Sequence, residues 1–316
     1  MTYETGSGKY DRLLARCRSL PPVATAVIHP CEESALAGAL EAAALGLIAP
    51  ICVGPAQRIA EVAAKAEISL GSTPIIDVPH SHAAAEKGVA LVREGKAEVL
   101  MKGSLHTDEL LGAVVARDSG LRTGRRISHV FLMDVPTYHK VLLVTDAAIN
   151  IAPTLEEKAD ICQNAIDLAV TLGVERPKVA ILAAVETVTS KMPTTVDAAA
   201  LCKMADRGQI RGAALDGPLA FDNAISKEAA RTKGIESEVA GDPDILVAPD
   251  LETGNVLAKL LSFLARSDSA GIVLGARVPI ILTSRADSVR ARIPSCAVAM
   301  LAAHARRNPE GLPSRG

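Results

Sequence analysis

Short β-branched runs alternate with Ala- and Leu-rich helical stretches along almost the whole chain, and this alternation narrows the fold more than any other feature. Strands are predicted over residues 23–28, 48–53, 74–77, 97–101, 127–133, 140–145, 178–182, 245–248, 271–274 and 279–282. Helices are predicted between them, over 32–45, 56–66, 80–93, 107–116, 155–172, 197–206, 251–265 and 287–304. A chain that keeps passing from strand to helix and back builds parallel sheet covered by helices on both faces. One pair breaks the rhythm. Strands 127–133 and 140–145 are joined by DVPTYH, too short for a helical crossover, which predicts an antiparallel hairpin and a domain crossing near the middle. Helix 155–172 carries its own boundary signals: Thr154 as cap, Glu157 to close a capping box and Gly173 as stop.

With 316 residues, 49% of them hydrophobic, the chain is long enough for a two-lobed globular body. Its apolar runs are far too short to span a bilayer, and MTYETGSGKYDR has no apolar signal region, so a soluble cytoplasmic protein is expected, with no membrane partner. The 34 basic and 36 acidic residues nearly cancel, and there are no Trp, 3 Tyr and 3 Phe, which removes both the field and the stacking platforms that nucleic acid requires. Cys17, Cys31, Cys52, Cys162, Cys202 and Cys296 are scattered without a C-x-x-C pair, the pattern of small buried residues in a reducing compartment. No metal site is predicted.

Two strand ends carry anion-binding chemistry. In VPIILTSRADS (278–288), an apolar strand runs straight into Thr283, Ser284 and Arg285 before a helix, which would aim hydroxyls, a guanidinium and open helix amides at one place. In MKGSLHT (101–107), Lys102, Gly103, Ser104 and Thr107 stand between a strand and a helix, where open α/β sheets bind ligands. An ordinary capped turn explains that second segment equally well. DGPLAFDN (216–223) and AGDPDILVAPDLETGN (240–255) read as long loops that can line a groove, or as plain turn chemistry. GSGK at 6–9 lacks the preceding strand, the first glycine and the Ser or Thr of a phosphate loop. His80 and His82 point different ways from a helix start, and neither H-E-x-x-H nor G-x-S-x-G occurs.

MKGSLHTDEL, ISHVFLMDVPTYHK, TDAAINIAPTLEEK, ALDGPLAFDNAIS, PDILVAPDLETGN and VPIILTSRADS, in that order, resemble the phosphate acetyl/butyryltransferase family over nearly the whole chain. The likeness is greatest to the phosphate acetyltransferase region found fused to enoyl-CoA hydratases. The resemblance implies conversion of acetyl-CoA, or another short acyl-CoA, and inorganic phosphate into acyl phosphate and CoA. CoA and phosphate are then substrates, and no cofactor is expected. It also implies a two-domain α/β/α body similar to the isocitrate and isopropylmalate dehydrogenases, with mixed, largely parallel sheets, an interdomain cleft and a homodimer. The first domain would comprise 1–128 with 275–316, and the second 129–274.

The family's catalytic Ser-Arg pair matches Ser284 and Arg285, with Lys102, Gly103, Ser104, Thr107, Thr283 and Asp287 as substrate-binding residues. Asp216, Asn223, Asp250 and Asn255 are the candidates for CoA contacts. One position departs. The acetyl branch carries an aspartate, proposed as base for the CoA thiol, where this chain has Ala291. TSRADS looks more like the butyryl branch, so phosphate butyryltransferase is the runner-up. Asp287 remains as a weak base candidate that suits a helix N-cap better. A non-catalytic CoA or acyl-phosphate binder and a metal-dependent decarboxylating dehydrogenase are remoter readings.

Overall fold

The computed structural model describes residues 8–118, 121–283 and 289–307, with backbone alone at 289–291. The chain opens with α1 (Lys9–Cys17), β1 (Val23–Ile28), α2 (Glu33–Ala44), β2 (Ile48–Gly54), α3 (Ala56–Lys65), β3 (Ile75–Asp77), α4 (Ser81–Arg93), β4 (Val99–Lys102) and α5 (Thr107–Val115). A middle stretch follows with β5 (Ser128–Asp134), β6 (Leu142–Thr145), α6 (Leu155–Thr171), β7 (Lys178–Leu182) and α7 (Pro193–Asp206). It continues through β8 (Ala214–Leu219), α8 (Phe221–Ile225), α9 (Lys227–Thr232), β9 (Ile245–Val247) and α10 (Leu251–Phe263). The chain closes with β10 (Asp268–Leu274), β11 (Ile280–Ile281) and α11 (Val289–Arg307).

Two compact units result. The first comprises Tyr10–Arg125 and Ala270–Arg307. Its strand order is β3-β2-β1-β4-β11-β10, parallel except where β10 runs against β11. The five residues between β10 and β11 allow only that reversal. β1 and β4 are buried almost throughout, as strands covered on both faces must be. Cys31, Leu36, Cys52, Ile59 and Ala63 pack one apolar cluster on this sheet.

The second unit holds Lys9 and Arg126–Ser269. Its order is β5-β6-β9-β7-β8, with the hairpin β5–β6 antiparallel and the rest parallel. Thr154 and Glu157 form the expected capping box of α6, and Gly173 follows it at φ 92°. At the amino ends of β6, β7 and β9, Asp242 takes Lys178 Nζ at 2.6 Å and Lys140 Nζ at 3.2 Å, while Asp244 takes Lys140 Nζ at 2.8 Å. Burial pushes the Asp242 carboxyl up, but the two lysines outweigh it and hold the pKa at about 2.

Residues 216–223 are not the open loop expected. They contribute to β8 and α8. Pro218 has no N–H to give a ladder, and β8 tolerates it because it is an edge strand. Helix α7 begins at Pro193, at the first helical turn where proline fits, and not at residue 197. Lys9 of the rejected GSGK is buried and donates to Val135 O at 2.6 Å, beside the Asp134 carboxylate at 2.9 Å.

Candidate functional site

In the first unit, β1 leads through α2 to β2 on one side, and the chain later returns to lay β4 on the other side of β1. The β1/β4 boundary is therefore a topological switch point, where the loops part and leave room beyond the strand ends. β4 is flanked by β1, with Ile28 beside Lys102, and by β11, with Ile281 beside Met101. Parallel neighbours lie about 4.8 Å apart, so the chain leaving β1, β4 and β11 passes within about 10 Å. His29, Gly103 and Thr283 lie on these exits.

The β4 exit is fixed to the β1 exit by backbone. Gly103 N donates to Ile28 O at 2.9 Å, and Ser104 N donates to His29 O at 2.9 Å. Ser104 Oγ donates to the same carbonyl at 2.8 Å and accepts from Cys31 N at 3.0 Å. The approach is so close that a Cβ on Gly103 would meet the Ile28 and His29 carbonyls, the latter at 2.6 Å. Only glycine fits there. His29 itself sits at φ 53°, a strained region for a side-chain-bearing residue, held by its N–H to Val53 O at 2.7 Å. Its imidazole lies 3.3 Å from Ser104 Oγ and is pushed below the ordinary histidine pKa, chiefly by burial.

Lys102 is buried, and its Nζ donates to Gly103 O at 3.4 Å. Thr107 opens α5, one residue after His106, whose amide donates to Glu109 at 3.4 Å. Thr283 is buried, and its Oγ1 accepts from Arg292 Nη1 at 2.7 Å. Ser284, Arg285 and Asp287 lie outside the described residues.

Sequence reasoning missed His29 and Arg292. No local signal points to Arg292; its stem packs on Gly38, a glycine inside α2. A Cβ at that position would stand 2.5 Å from Arg292 Cδ.

The four CoA candidates all fall in the second unit. Asp250 caps α10, accepting from Thr253 N at 2.8 Å, and Asn255 donates to Ala147 O at 3.0 Å. Asp216 accepts from Gly217 N at 2.8 Å. Asn223 is buried and donates to Glu186 at 3.2 Å, while its Oδ1 has no hydrogen-bond partner among the described residues. These contacts account for Asp250 and Asn255 as local structure. Asn223 alone keeps a buried acceptor to offer.

A solvent-open groove of about 580 Å³ lies between α4 and α5 and includes His82, Glu86, Arg93 and Asp108. It runs along the facing flanks of the two helices and reaches the first turn of α5. Among the described residues no group of three or more His, Cys, Asp or Glu is placed to hold a metal, and no helix is long and apolar enough to cross a membrane.

Residues 79–300 match the family described as phosphate acetyl/butaryl transferase. A phosphate acetyltransferase of Rhizobium meliloti is 65% identical over 95% of both chains. A phosphate butyryltransferase of Clostridium acetobutylicum is 41% identical over 93% of this chain and 98% of its own. Among solved structures, a branched-chain phosphotransacylase from Enterococcus faecalis is similar at TM-score 0.78 and 30% identity, covering 89% of this chain and 99% of that one.

Proposed function

This chain belongs to the phosphate acetyl/butyryltransferase family, and on that premise we infer that it is a phosphate acetyltransferase, converting acetyl-CoA and phosphate into acetyl phosphate and CoA. The observation that carries the reading is the near-full-length likeness to phosphate acetyltransferases, which exceeds the likeness to the butyryltransferase relatives. The architecture agrees with it: a mostly parallel α/β sheet in which the exits of β1, β4 and β11 lie side by side.

The mechanism proposed is direct attack in a ternary complex. A phosphate oxygen adds to the thioester carbonyl, the C–S bond breaks, and CoA leaves as thiolate, with a thiol reference pKa of about 8.5. Phosphate is already an anionic nucleophile, so no covalent enzyme intermediate is needed. Arg285 holds phosphate through its guanidinium fork. Ser284 donates to the developing oxyanion, a contribution of about 3 kcal/mol for such donors. Lys102 holds further negative charge, with Ser104, Thr107 and Thr283 beside it, while the Gly103 and Ser104 amides are already engaged by the Ile28 and His29 carbonyls; α11 adds its dipole. In the reverse direction a base must take the CoA proton, and Ala291 cannot.

CoA contacts are assigned to the second unit, and the buried, unpartnered Asn223 Oδ1 favours Asn223 among the four candidates. An isocitrate dehydrogenase-like body with the domain boundaries given above, a cytoplasmic location and a homodimer complete the proposal. For the dimer, α10 offers Val256, Leu260 and Phe263 as a run of exposed apolar side chains that a second copy would cover.

The test is phosphate-dependent release of CoA thiol from acetyl-, propionyl- and butyryl-CoA without added metal. Release that needs phosphate, with the highest kcat/KM on acetyl-CoA, is expected. Preference for butyryl-CoA would move the assignment to phosphate butyryltransferase, and no release from protein that binds CoA would make it a binder. Ser284→Ala and Arg285→Gln should each remove most turnover. Unchanged phosphate affinity and rate would refute the site.

A further inference from the structure

We propose that Arg292 is a positioning residue for phosphate: it fixes the Thr283 hydroxyl as an acceptor, so that the hydroxyl's one proton is directed to the bound anion. The proposal rests on the acyltransfer reading above. Arg292 lies in the first turns of α11 and is 2% exposed. Its Nη1 donates to Thr283 Oγ1 at 2.7 Å, and Nη2 reaches Ser34 Oγ at 3.5 Å. Ser34 and Gly38 are four residues apart, on one face of α2, and the missing side chain at Gly38 is what lets the Arg292 stem lie against that helix. One guanidinium thus joins the first turn of α2, the body of α11 and the end of β11.

The donor inventory sets the consequence. Arginine only donates, so in this contact the threonine oxygen must accept. A hydroxyl that accepts from a cation in a buried site has its remaining O–H polarised and aimed elsewhere. Thr283 is 4% exposed and leaves the sheet beside Gly103, next to the proposed Ser284–Arg285 pair. An anion at the strand exits is the acceptor that the O–H would serve.

The experiment is steady-state kinetics with phosphate and acetyl-CoA varied separately, on Thr283→Val, Thr283→Ser, Arg292→Met and the Val/Met double variant. Thr283→Val should raise the KM for phosphate about tenfold or more, the range of one hydrogen bond to a charged group. The KM for acetyl-CoA should stay within about twofold, and Thr283→Ser should recover most of the loss. Arg292→Met should raise the phosphate KM similarly, and the double variant should be no worse than the worse single one, because the two residues act as one unit.

An unchanged phosphate KM in Thr283→Val overturns the proposal, as does multiplicative loss in the double variant or failure of Thr283→Ser to recover. If Arg292→Met does not fold, Gly38→Ala replaces it, since its methyl displaces the Arg292 stem while keeping the charge. It should give the same selective rise in phosphate KM, and an unchanged value there counts against the idea. Wild-type protein without phosphate-dependent thiol release refutes the acyltransfer reading itself, a different outcome from any of these.

Discussion

Ser104 and His29 are joined twice at one carbonyl: the amide and the hydroxyl of Ser104 both donate to His29 O, at 2.9 and 2.8 Å. The hydroxyl also accepts from Cys31 N at 3.0 Å, so one side chain ties the β4 exit to the turn that enters α2. Ser104→Ala is expected to cost about 1 kcal/mol, the value of the part-buried bonds lost, since Cys31 N keeps its bond to His29 O at 2.8 Å. Urea unfolding measures this, and a stability within 0.3 kcal/mol or so of wild type would mean that water replaces the hydroxyl at no cost.

Gly103→Ala asks more of the structure, because the added methyl meets backbone carbonyls and no flexible side chain that could yield. The β4 exit must move away from β1. A loss of about 2–3 kcal/mol is expected from the overpacking, together with a fall in turnover, since the displaced segment carries Lys102, which is proposed to hold the anion. Thermal unfolding and kcat/KM read the two effects. A variant as stable and active as wild type would place the anion elsewhere.

The strand-end logic of this site was legible in the sequence, because an apolar run followed by Lys102-Gly103-Ser104 or Thr283-Ser284-Arg285 is a local signal. Strand β8 was not, since Gly217 and Pro218 spell a turn and only the edge position excuses them. Asp250 looked like a ligand residue because a helix cap and a ligand contact call for the same side chain. His29 gave no signal either. A residue before proline is biased to extended backbone, yet contacts from Val53 and Ser104, distant in sequence, hold it at φ 53°. Arg292 depends on α2 and β11, and no window of sequence contains both.

His29 predicts a pH signature. Burial lowers its pKa below the ordinary 6.5, with Arg58 lowering it further and the Ser104 carbonyl, Glu109 and Glu32 opposing. Above about pH 6.5 both folded and unfolded forms are neutral, so the residue adds no pH dependence. As pH falls through that value the unfolded chain takes the proton first, and the folded state loses stability until its own lower pKa is reached. Wild type should therefore lose ground relative to His29→Gln between pH 7.5 and 5.5 in urea unfolding. A constant difference between the two proteins across that range would show that the imidazole titrates normally.

Thiol chemistry gives an independent check on the core. Burial raises the thiols of Cys17 and Cys52 to about 11 and those of Cys162, Cys202 and Cys296 to about 12, and Cys31 moves in the same direction. The thiolate is the reactive form. Native protein should therefore react slowly with an aromatic disulfide reagent at neutral pH, while all six cysteines react after unfolding in urea. Rapid labelling of the native protein would contradict this packing. Slow labelling also means that a CoA-thiol assay carries little background from the enzyme.

Asp242 provides the sharpest test of the second unit, because its charge joins the amino ends of neighbouring strands away from the proposed chemistry. Its folded pKa of about 2 lies below the ordinary 3.8, so the carboxylate contributes its full stabilisation above pH 4 and loses it as pH falls through the folded value. With the side chain 17% exposed, the shift corresponds to about 2 kcal/mol. Asp242→Asn removes the charge at every pH and leaves Lys178 without its anion, while Lys140 keeps Asp244. The variant should be less stable than wild type by about that amount at pH 7, and the gap should close between pH 4 and pH 2 as the wild-type carboxyl gains its proton. Turnover per folded molecule should not change. A gap that stays constant down to pH 2 would assign the loss to the altered amide packing, and the two lysines would then owe nothing to the carboxylate's charge.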